Sequence, residues 1–164
     1  MARAYVSIGS NIEKEKNIRA SIYLLQNRYS PLTISQIFES ESIGFQGDNF
    51  YNLVVGFNTT ESVEDLVSYF NKIEQLCGRK QNGTRFSSRP LDLDLLLYDD
   101  LILNLQQPKV QIPREDIIHY AFVLQPLAEI APNEVHPILK KPYMELWHSF
   151  NKSLSSLWPI EIAL

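Results

Sequence analysis

The segment 91–98, Leu-Asp-Leu-Asp-Leu-Leu-Leu-Tyr, constrains the fold of this chain more than any other stretch. Residues two apart in a strand point to the same face, so Asp92 and Asp94 are predicted to share one face and the intervening leucines the other. The apolar run that follows is typical of a strand buried on both faces. Two carboxylates entering a core are costly unless positive charge meets them. The sequence therefore predicts a cation here, either a divalent metal or the guanidinium groups of Arg85 and Arg89.

Composition restricts the class of protein. The chain has 164 residues, of which 45% are hydrophobic and 21% charged, and it is predicted to form a single domain over residues 1–164. The formal net charge of −4 argues against nucleic acid as a partner, since binding to a phosphate backbone needs a basic surface. Cys77 is the only cysteine, which excludes an intrachain disulfide and fits a reducing compartment.

No charged segment at the N-terminus leads into an apolar one, and no run approaches the ~18 apolar residues that a membrane span needs. We therefore expect a cytoplasmic protein that does not bind a membrane.

Hydrophobic periodicity predicts six elements over the first two thirds of the chain, in the order strand, helix, strand, strand, helix, strand. They are a strand 4–8, a helix 11–28 capped by Asn11, strands 32–39 and 50–57, a helix capped by Thr60 or Ser62 and ended by Gly78, and a strand into Tyr98. This βαββαβ order predicts an α+β, ferredoxin-like antiparallel sheet with its helices on one face.

The last third is predicted to add smaller elements to this core. They are a short strand 101–103, an irregular or edge strand 108–113, a helical turn within 114–122, a short helix 126–130 and a last helix 144–150.

The Asp-x-Asp pair is a weak motif by itself, and a solvent-facing acidic edge explains it as well as a metal does. Its position makes it more informative, because the basic segment 79–89 leads directly into it. Magnesium typically takes one or two carboxylates together with waters and phosphate oxygens. The combination therefore favours a site for a metal-bound polyphosphate.

Other common sites are missing from the sequence. There is no Walker A loop, and no Gly-x-Ser-x-Gly nucleophile turn for acyl transfer. The three histidines, His119, His136 and His148, have no zinc spacing.

Several short segments, taken in order, resemble one known family. They are 5–11 (Tyr-Val-Ser-Ile-Gly-Ser-Asn), Phe50-Tyr51-Asn52, Glu74 with Gly78-Arg79, 85–95, and 122–132 with its Phe-Val-Leu-Gln-Pro-Leu start. Together they resemble the 6-hydroxymethyl-7,8-dihydropterin pyrophosphokinases of folate biosynthesis, over about residues 4–137. The resemblance implies a ferredoxin-like monomer that transfers pyrophosphate from ATP to the pterin hydroxymethyl group, releases AMP and uses two Mg²⁺.

The resemblance also implies roles for individual residues. Asp92 and Asp94 hold the metal ions and, with Arg79 and Arg89, form the catalytic set. The residues implied for ATP are Asn71, Glu74, Arg85, Lys109, Gln111 and Arg114. The residues implied for the pterin are Gly9, Ser40, Ile43, Phe50, Asn52 and Phe122, with the two phenyl rings sandwiching the substrate ring and the Asn52 amide reading its polar edge.

The chain departs from the family pattern at several positions. Phe86 replaces a tryptophan, Arg114 replaces a common histidine, and Tyr120 replaces an arginine. Arg114 is expected to supply part of the missing charge. Two alternatives remain open: an enzyme acting on a related pterin, and a pterin- and nucleotide-binding protein with weak catalysis.

Overall fold

The computed structural model describes residues 1–42, 47–78, 90–154 and 156–164. Its elements, in chain order, are β1 (Ala2–Ser10), α1 (Lys14–Tyr29), β2 (Thr33–Ile34), β3 (Ile37–Ser40), β4 (Phe50–Thr59), α2 (Val63–Leu76), β5 (Asp92–Tyr98), β6 (Leu103–Gln106), β7 (Lys109–Ile112), α3 (Asp116–His119), α4 (Ala121–Ile130), α5 (Tyr143–His148), a 3₁₀ turn (Lys152–Leu154) and β8 (Leu157–Ile160).

The main sheet has the strand order β5-β1-β4-β3-β8, and all of its pairings are antiparallel. β2 also pairs with β4, beside β3. Numbered within the βαββαβ unit, its four strands lie in the order 4-1-3-2 across the sheet, as β5, β1, β4 and β3. This is the ferredoxin-like arrangement that the sequence predicted, and β8 extends it at the β3 edge.

The helices of the βαββαβ unit, α1 and α2, lie on one face of the sheet as predicted, and helices from the last third of the chain cover part of the other face. On the first face α1 packs against β1 and β4 and α2 packs against β5, in a core that includes Val6 and Val55. On the opposite face α4 packs against β4 and β3, and α5 packs against α4, in a core that includes Tyr5 and Val54. The second face is only partly covered, and the uncovered end of it is where the cavity described below lies.

The sequence predicts a helix that starts at Pro126, but α4 begins five residues earlier, at Ala121. Pro126 removes one backbone donor from the helix, and proline inside a helix usually bends or ends it. Val123, Leu124 and Leu127, on either side of the proline, are all buried against the sheet. Burial of this apolar stripe stabilises the helix through the interruption, and it fixes Phe122 at the edge of the cavity.

A bulge in β5 separates its polar half from its apolar half. Val6 of β1 pairs with Leu95, but Tyr5 pairs with Leu97, so Leu96 is an extra residue in the ladder. Before the bulge the leucines pack against α1 and α2; after it Leu96 and Leu97 both join the other core. The predicted alternation of aspartate and leucine along β5 therefore ends at Leu95. The apolar half of the strand, 95–97, is buried on both faces of the sheet, as expected.

Several element boundaries are decided by specific side-chain hydrogen bonds, and two of them differ from the prediction. The predicted strand 32–39 splits, because the Ser35 side chain accepts from the Val54 N–H at 2.9 Å in place of a ladder carbonyl. Asn11 does not cap α1: its amide donates to the Asp48 carbonyl, and Glu13, with a φ of 44°, precedes the helix. Ser62 caps α2 by accepting from the Asp65 N–H at 3.1 Å.

The predicted strand 101–103 lies further along the chain, at β6. There it forms a two-stranded hairpin with β7, in which Leu103 pairs with Ile112. The residues beyond 150, for which the sequence made no prediction, supply β8. Among the described helices, none is long and apolar enough to cross a membrane.

Gly56 in β4 pairs with Tyr5 in β1, and the tyrosine ring leaves no room for a side chain at position 56. A Cβ on Gly56 would lie 2.6 Å from Cε1 of Tyr5. We expect Gly56→Ala to lower the free energy of unfolding by about 1–3 kcal/mol, because overpacking displaces a rigid ring. Denaturant unfolding measures this, with Asn58→Ala, an exposed position of the same strand, as the control. Equal stability of the two variants would contradict it.

Candidate active site

A cavity of about 700 Å³ opens on the uncovered end of the second sheet face. Its floor is formed by β1, β4 and β5, one wall by the start of α4 and the other by the β6–β7 hairpin. Five of the six residues predicted to contact the pterin line it: Gly9, Ser40, Phe50, Asn52 and Phe122. The sixth, Ile43, lies outside the described residues.

The Asn52 side chain is fixed before any ligand binds. It is 7% exposed, and its Nδ2 donates to Oγ of Ser40 at 3.0 Å. Gly9 faces it across the β1–β4 ladder, and a Cβ there would lie 3.0 Å from the Asn52 Oδ1. The missing side chain at Gly9 thus leaves the room that the amide occupies. A buried amide with its orientation set in this way suits recognition of a flat polar edge.

Aromatic rings line the same cavity. Phe50 comes from the first residue of β4, and Phe122 comes from the first turn of α4. Tyr120 also lines the cavity, and its ring stacks on that of Phe122 with centroids 5.0 Å apart and planes at 21°. Tyr120 therefore extends an aromatic wall of the cavity.

A second, smaller cavity of about 210 Å³ lies between α2, β5 and β7. Five of the six residues predicted to contact ATP line it: Asn71, Glu74, Lys109, Gln111 and Arg114. The sixth, Arg85, lies outside the described residues, as do the predicted catalytic residues Arg79 and Arg89.

Asp92 and Asp94 line both cavities. They pair with Gly9 and Ser7 of β1, respectively, which puts both carboxylates on the cavity face as predicted. Burial, and next the neighbouring Asp92 carboxylate, raise the pKa of Asp94 well above its ordinary value of 3.8. Arg114 acts in the opposite direction, since its Nη2 lies 3.5 Å from Oδ1 of Asp94.

Glu74 has a structural contact in addition to its place in the second cavity. It is 5% exposed, and its Oε2 accepts from the Leu93 N–H at 2.8 Å. Leu93 stands between the two aspartates, so this bond connects α2 to the strand that carries them. Glu74 therefore helps to hold the carboxylate pair in position.

Sequence reasoning missed several polar groups of the site, among them Asp116, Asn104 and Gln106. Asp116 accepts from Nε of Arg114 at 3.1 Å and lines the larger cavity. Asn104 and Gln106 of β6 line it as well, opposite Gln111 and Lys109 in the hairpin. The alternation of leucine with amide residues over 103–106 is a signal that could have identified the hairpin face, but Asp116 is recognisable only from its contact.

The comparisons with known proteins identify the family of the chain. The family model described as 7,8-dihydro-6-hydroxymethylpterin-pyrophosphokinase matches residues 5–132. The chain belongs to this family. A 2-amino-4-hydroxy-6-hydroxymethyldihydropteridine pyrophosphokinase of Aquifex aeolicus is 33% identical over 147 residues, which cover 88% of this chain and 90% of that protein. The Bacillus subtilis protein of the same name is 31% identical over 132 residues, 77% of each chain.

Solved structures with a similar fold include longer proteins named HPPK-DHPS. One from Plasmodium falciparum has a TM-score of 0.72 and 13% identity, and the alignment covers 90% of this chain and 41% of that one. Another, in complex with substrates, has a TM-score of 0.72 over 93% of this chain and 44% of that one. At this identity the likeness concerns the fold, and this chain spans less than half the length of those proteins.

The donors available to a metal are few in this pyrophosphokinase. Within the described ranges, no group of three or more His, Cys, Asp or Glu side chains is arranged to hold a metal ion. Asp92 and Asp94 form a pair of oxygen donors open to both cavities. Mg²⁺ favours such a set, because it keeps several waters and takes phosphate oxygens from its substrate. The pair thus fits a cation that completes its coordination with waters and with oxygens of a bound ligand.

The raised pKa of Asp94 predicts a stability change in the metal-free protein. The folded chain holds the Asp94 proton more tightly than the unfolded chain does, so stability is lost as pH rises from 3.8 through the higher folded pKa. We expect Asp94→Asn to raise the melting temperature at pH 7.5 by about 2–4 °C, for roughly 1 kcal/mol. The difference should shrink near pH 4, where Asp94 is protonated in wild type as well.

Thermal unfolding in a chelator measures this, and Asp100→Asn, at an exposed position two residues beyond β5, is the control. A lower melting temperature for Asp94→Asn at pH 7.5 would show that Arg114 compensates the charge fully.

Proposed function

We propose that this chain transfers the pyrophosphoryl group of ATP to the hydroxymethyl group of 6-hydroxymethyl-7,8-dihydropterin and releases AMP, a step of folate biosynthesis. One observation carries the proposal: Asp92 and Asp94 line two cavities, of which only the larger is lined by Phe50, Asn52 and Phe122 and only the smaller by Asn71 and Glu74. A bisubstrate transfer needs this layout, since the reacting groups must meet where their two subsites join. Membership of the pyrophosphokinase family supports the same reaction.

The larger cavity is proposed to bind the pterin. The substrate ring lies between Phe50 and Phe122, and its amide edge faces Asn52. Stacking contributes about 0.5–1.5 kcal/mol beyond the burial of area. The buried Asn52 amide rejects rings that lack matching groups, because an unpaired polar group in this position is costly.

The smaller cavity is proposed to bind the nucleotide. Asn71 and Gln111 offer amide groups, and Lys109 and Arg114 bring positive charge toward the phosphates at the junction with the larger cavity. Arg79, Arg85 and Arg89 are proposed to contact the phosphates as well. Positive groups aimed at the transferring phosphoryl group stabilise the charge that spreads over its oxygens in the transition state.

Asp92 and Asp94 are proposed to hold Mg²⁺, with two ions expected. Bound there, Mg²⁺ would neutralise phosphate oxygens and keep the triphosphate in line with the substrate hydroxyl. The two carboxylates supply the oxygen ligands, and β5 keeps them at a fixed spacing. Glu74 keeps β5 itself in place through the Leu93 N–H.

The chemical step exchanges one P–O bond for another. The substrate hydroxyl oxygen forms a bond to the β-phosphorus of ATP, the bond from that phosphorus to the α,β-bridging oxygen breaks, and AMP leaves with that oxygen. The hydroxyl proton passes to solvent, since no side chain has been assigned as its base. The contribution of the protein is therefore positioning and charge neutralisation, and we propose that the chain does this as a single-domain monomer in the cytoplasm.

An AMP-release assay with ATP, Mg²⁺ and 6-hydroxymethyl-7,8-dihydropterin tests the assignment. We expect Asp92→Ala and Asp94→Ala to lower the rate by about 10²-fold or more, because each removes a ligand of the charge-neutralising site. Asp100→Ala, which removes a carboxylate from the exposed turn after β5, should leave the rate unchanged. Normal AMP release in either aspartate variant would remove that residue from the mechanism.

The specificity of the larger cavity is tested separately. We expect Asn52→Ala to raise the KM for the pterin by about tenfold, with a smaller effect on the KM for ATP, because a site built to hydrogen-bond its substrate depends on that bond. Asn58→Ala, at an exposed position of the same strand, is the control. Faster turnover with trihydroxypropyl pterins would favour the related-pterin alternative, and ligand binding without AMP would favour the binding protein.

A further inference from the structure

Arg114 stands between two carboxylates that the proposed reaction uses differently. Its Nη2 lies 3.5 Å from Oδ1 of Asp94, and its Nε lies 3.1 Å from Oδ2 of Asp116. We infer that Arg114 is a placeholder cation: it neutralises Asp94 until metal and nucleotide bind, then turns to the nucleotide phosphates while Asp116 holds it. This inference rests on the proposed function, and it adds Asp116 as a positioning residue.

The contact with Asp116 is the shorter of the two. Charge-assisted N–H···O bonds are usually about 2.7–2.9 Å long, so a 3.5 Å approach to Asp94 is a loose ion pair, while the Nε of Arg114 is hydrogen-bonded to Asp116. A guanidinium carries donors on two edges, so one edge can stay on Asp116 while the other exchanges partners. The geometry thus favours exchange at Asp94 and retention at Asp116.

The main chain under Arg114 is fixed. Its N–H donates to the carbonyl of Leu96, the bulged residue of β5, at 3.0 Å. The Arg114 side chain lines both cavities and keeps 33% of its surface exposed, which leaves room for it to reorient. A change of partner therefore requires rotation of one side chain only, with no movement of the sheet.

The exchange of Arg114 from Asp94 to the phosphates couples the binding of the metal to the binding of the nucleotide. A metal that binds alone has to displace Arg114 from Asp94, and the displaced cation gains no new partner. A metal that binds with a nucleotide displaces the same cation toward phosphate oxygens. Each ligand therefore strengthens the binding of the other, and such coupling is reciprocal. The cation-nucleotide complex is preferred over the bare ion.

The test measures Mn²⁺ binding by electron paramagnetic resonance, first without nucleotide. We expect Arg114→Ala to bind Mn²⁺ about fivefold more tightly than wild type, because the competitor is gone. We expect the same variant to bind the Mn²⁺ complex of α,β-methylene-ATP about fivefold more weakly by calorimetry, because the phosphates lose their partner. Lys72→Met removes an exposed charge of α2 that lines neither cavity, and it should change the binding of Mn²⁺ alone by less than twofold.

A double-mutant cycle tests Asp116. If it acts through Arg114, Asp116→Asn weakens binding of the Mn²⁺–analogue complex in wild type but has no effect in the Arg114→Ala background. Glu115→Gln removes a neighbouring carboxylate that also lines the larger cavity, and its effect should be equal in both backgrounds. Thermal melting midpoints show that each variant is folded.

Three results would overturn the inference. The first is unchanged or weaker binding of Mn²⁺ alone by Arg114→Ala, and the second is an effect of Asp116→Asn that persists without Arg114. The third is Mn²⁺ binding that survives Asp94→Ala, which would also remove the metal site from the proposed function. Opposite signs for the two affinities in Arg114→Ala, together with a non-additive cycle, support the inference even if no AMP is formed from the pterin tested.

Discussion

Two like charges on one face of a strand have to be compensated, and the surroundings of Asp92 and Asp94 are arranged around that requirement. Burial and mutual repulsion raise the pKa of Asp94, and Arg114 relieves this only partly from 3.5 Å away. A neutral side chain in place of one of the two carboxylates would make the metal-free protein more stable. The pair is maintained at a cost to the metal-free fold, and this is the electrostatic condition that a divalent cation and a polyphosphate would satisfy together.

The rest of the sheet holds that pair at the meeting point of two cavities. Gly9 and Ser7 lie opposite the aspartates in β1, and the missing side chain of Gly9 leaves space for the fixed Asn52 amide. Glu74 ties α2 to β5 through the backbone of Leu93. One glycine, one buried amide and one buried carboxylate thus connect the wall of the larger cavity, the aspartate pair and the helix beside the smaller cavity.

Local sequence signals predicted the elements whose neighbours lie close in the chain. Strands β1, β4 and β5 and helices α1 and α2 follow from apolar periodicity, and the Ser62 cap follows from residue type. The failures occur where a distant residue decides the conformation. Ser35 leaves the ladder because its hydroxyl takes the Val54 N–H, and α4 continues through Pro126 because both sides of it are buried. Neither partner can be read from the adjacent residues.

The sequence by itself determined the chemistry: the Asp-x-Asp spacing in a strand, the order of the βαββαβ unit, and the motifs that resemble one family of pyrophosphokinases. Side chains two residues apart in a strand lie on the same face of the sheet, independently of the rest of the fold. Only the tertiary structure decided that Arg114 reaches both Asp94 and Asp116, that Tyr120 stacks on Phe122, and that the β6–β7 hairpin supplies a wall. Those contacts depend on how a bulge and two covered sheet faces bring separate segments together, and no local pattern encodes those distances.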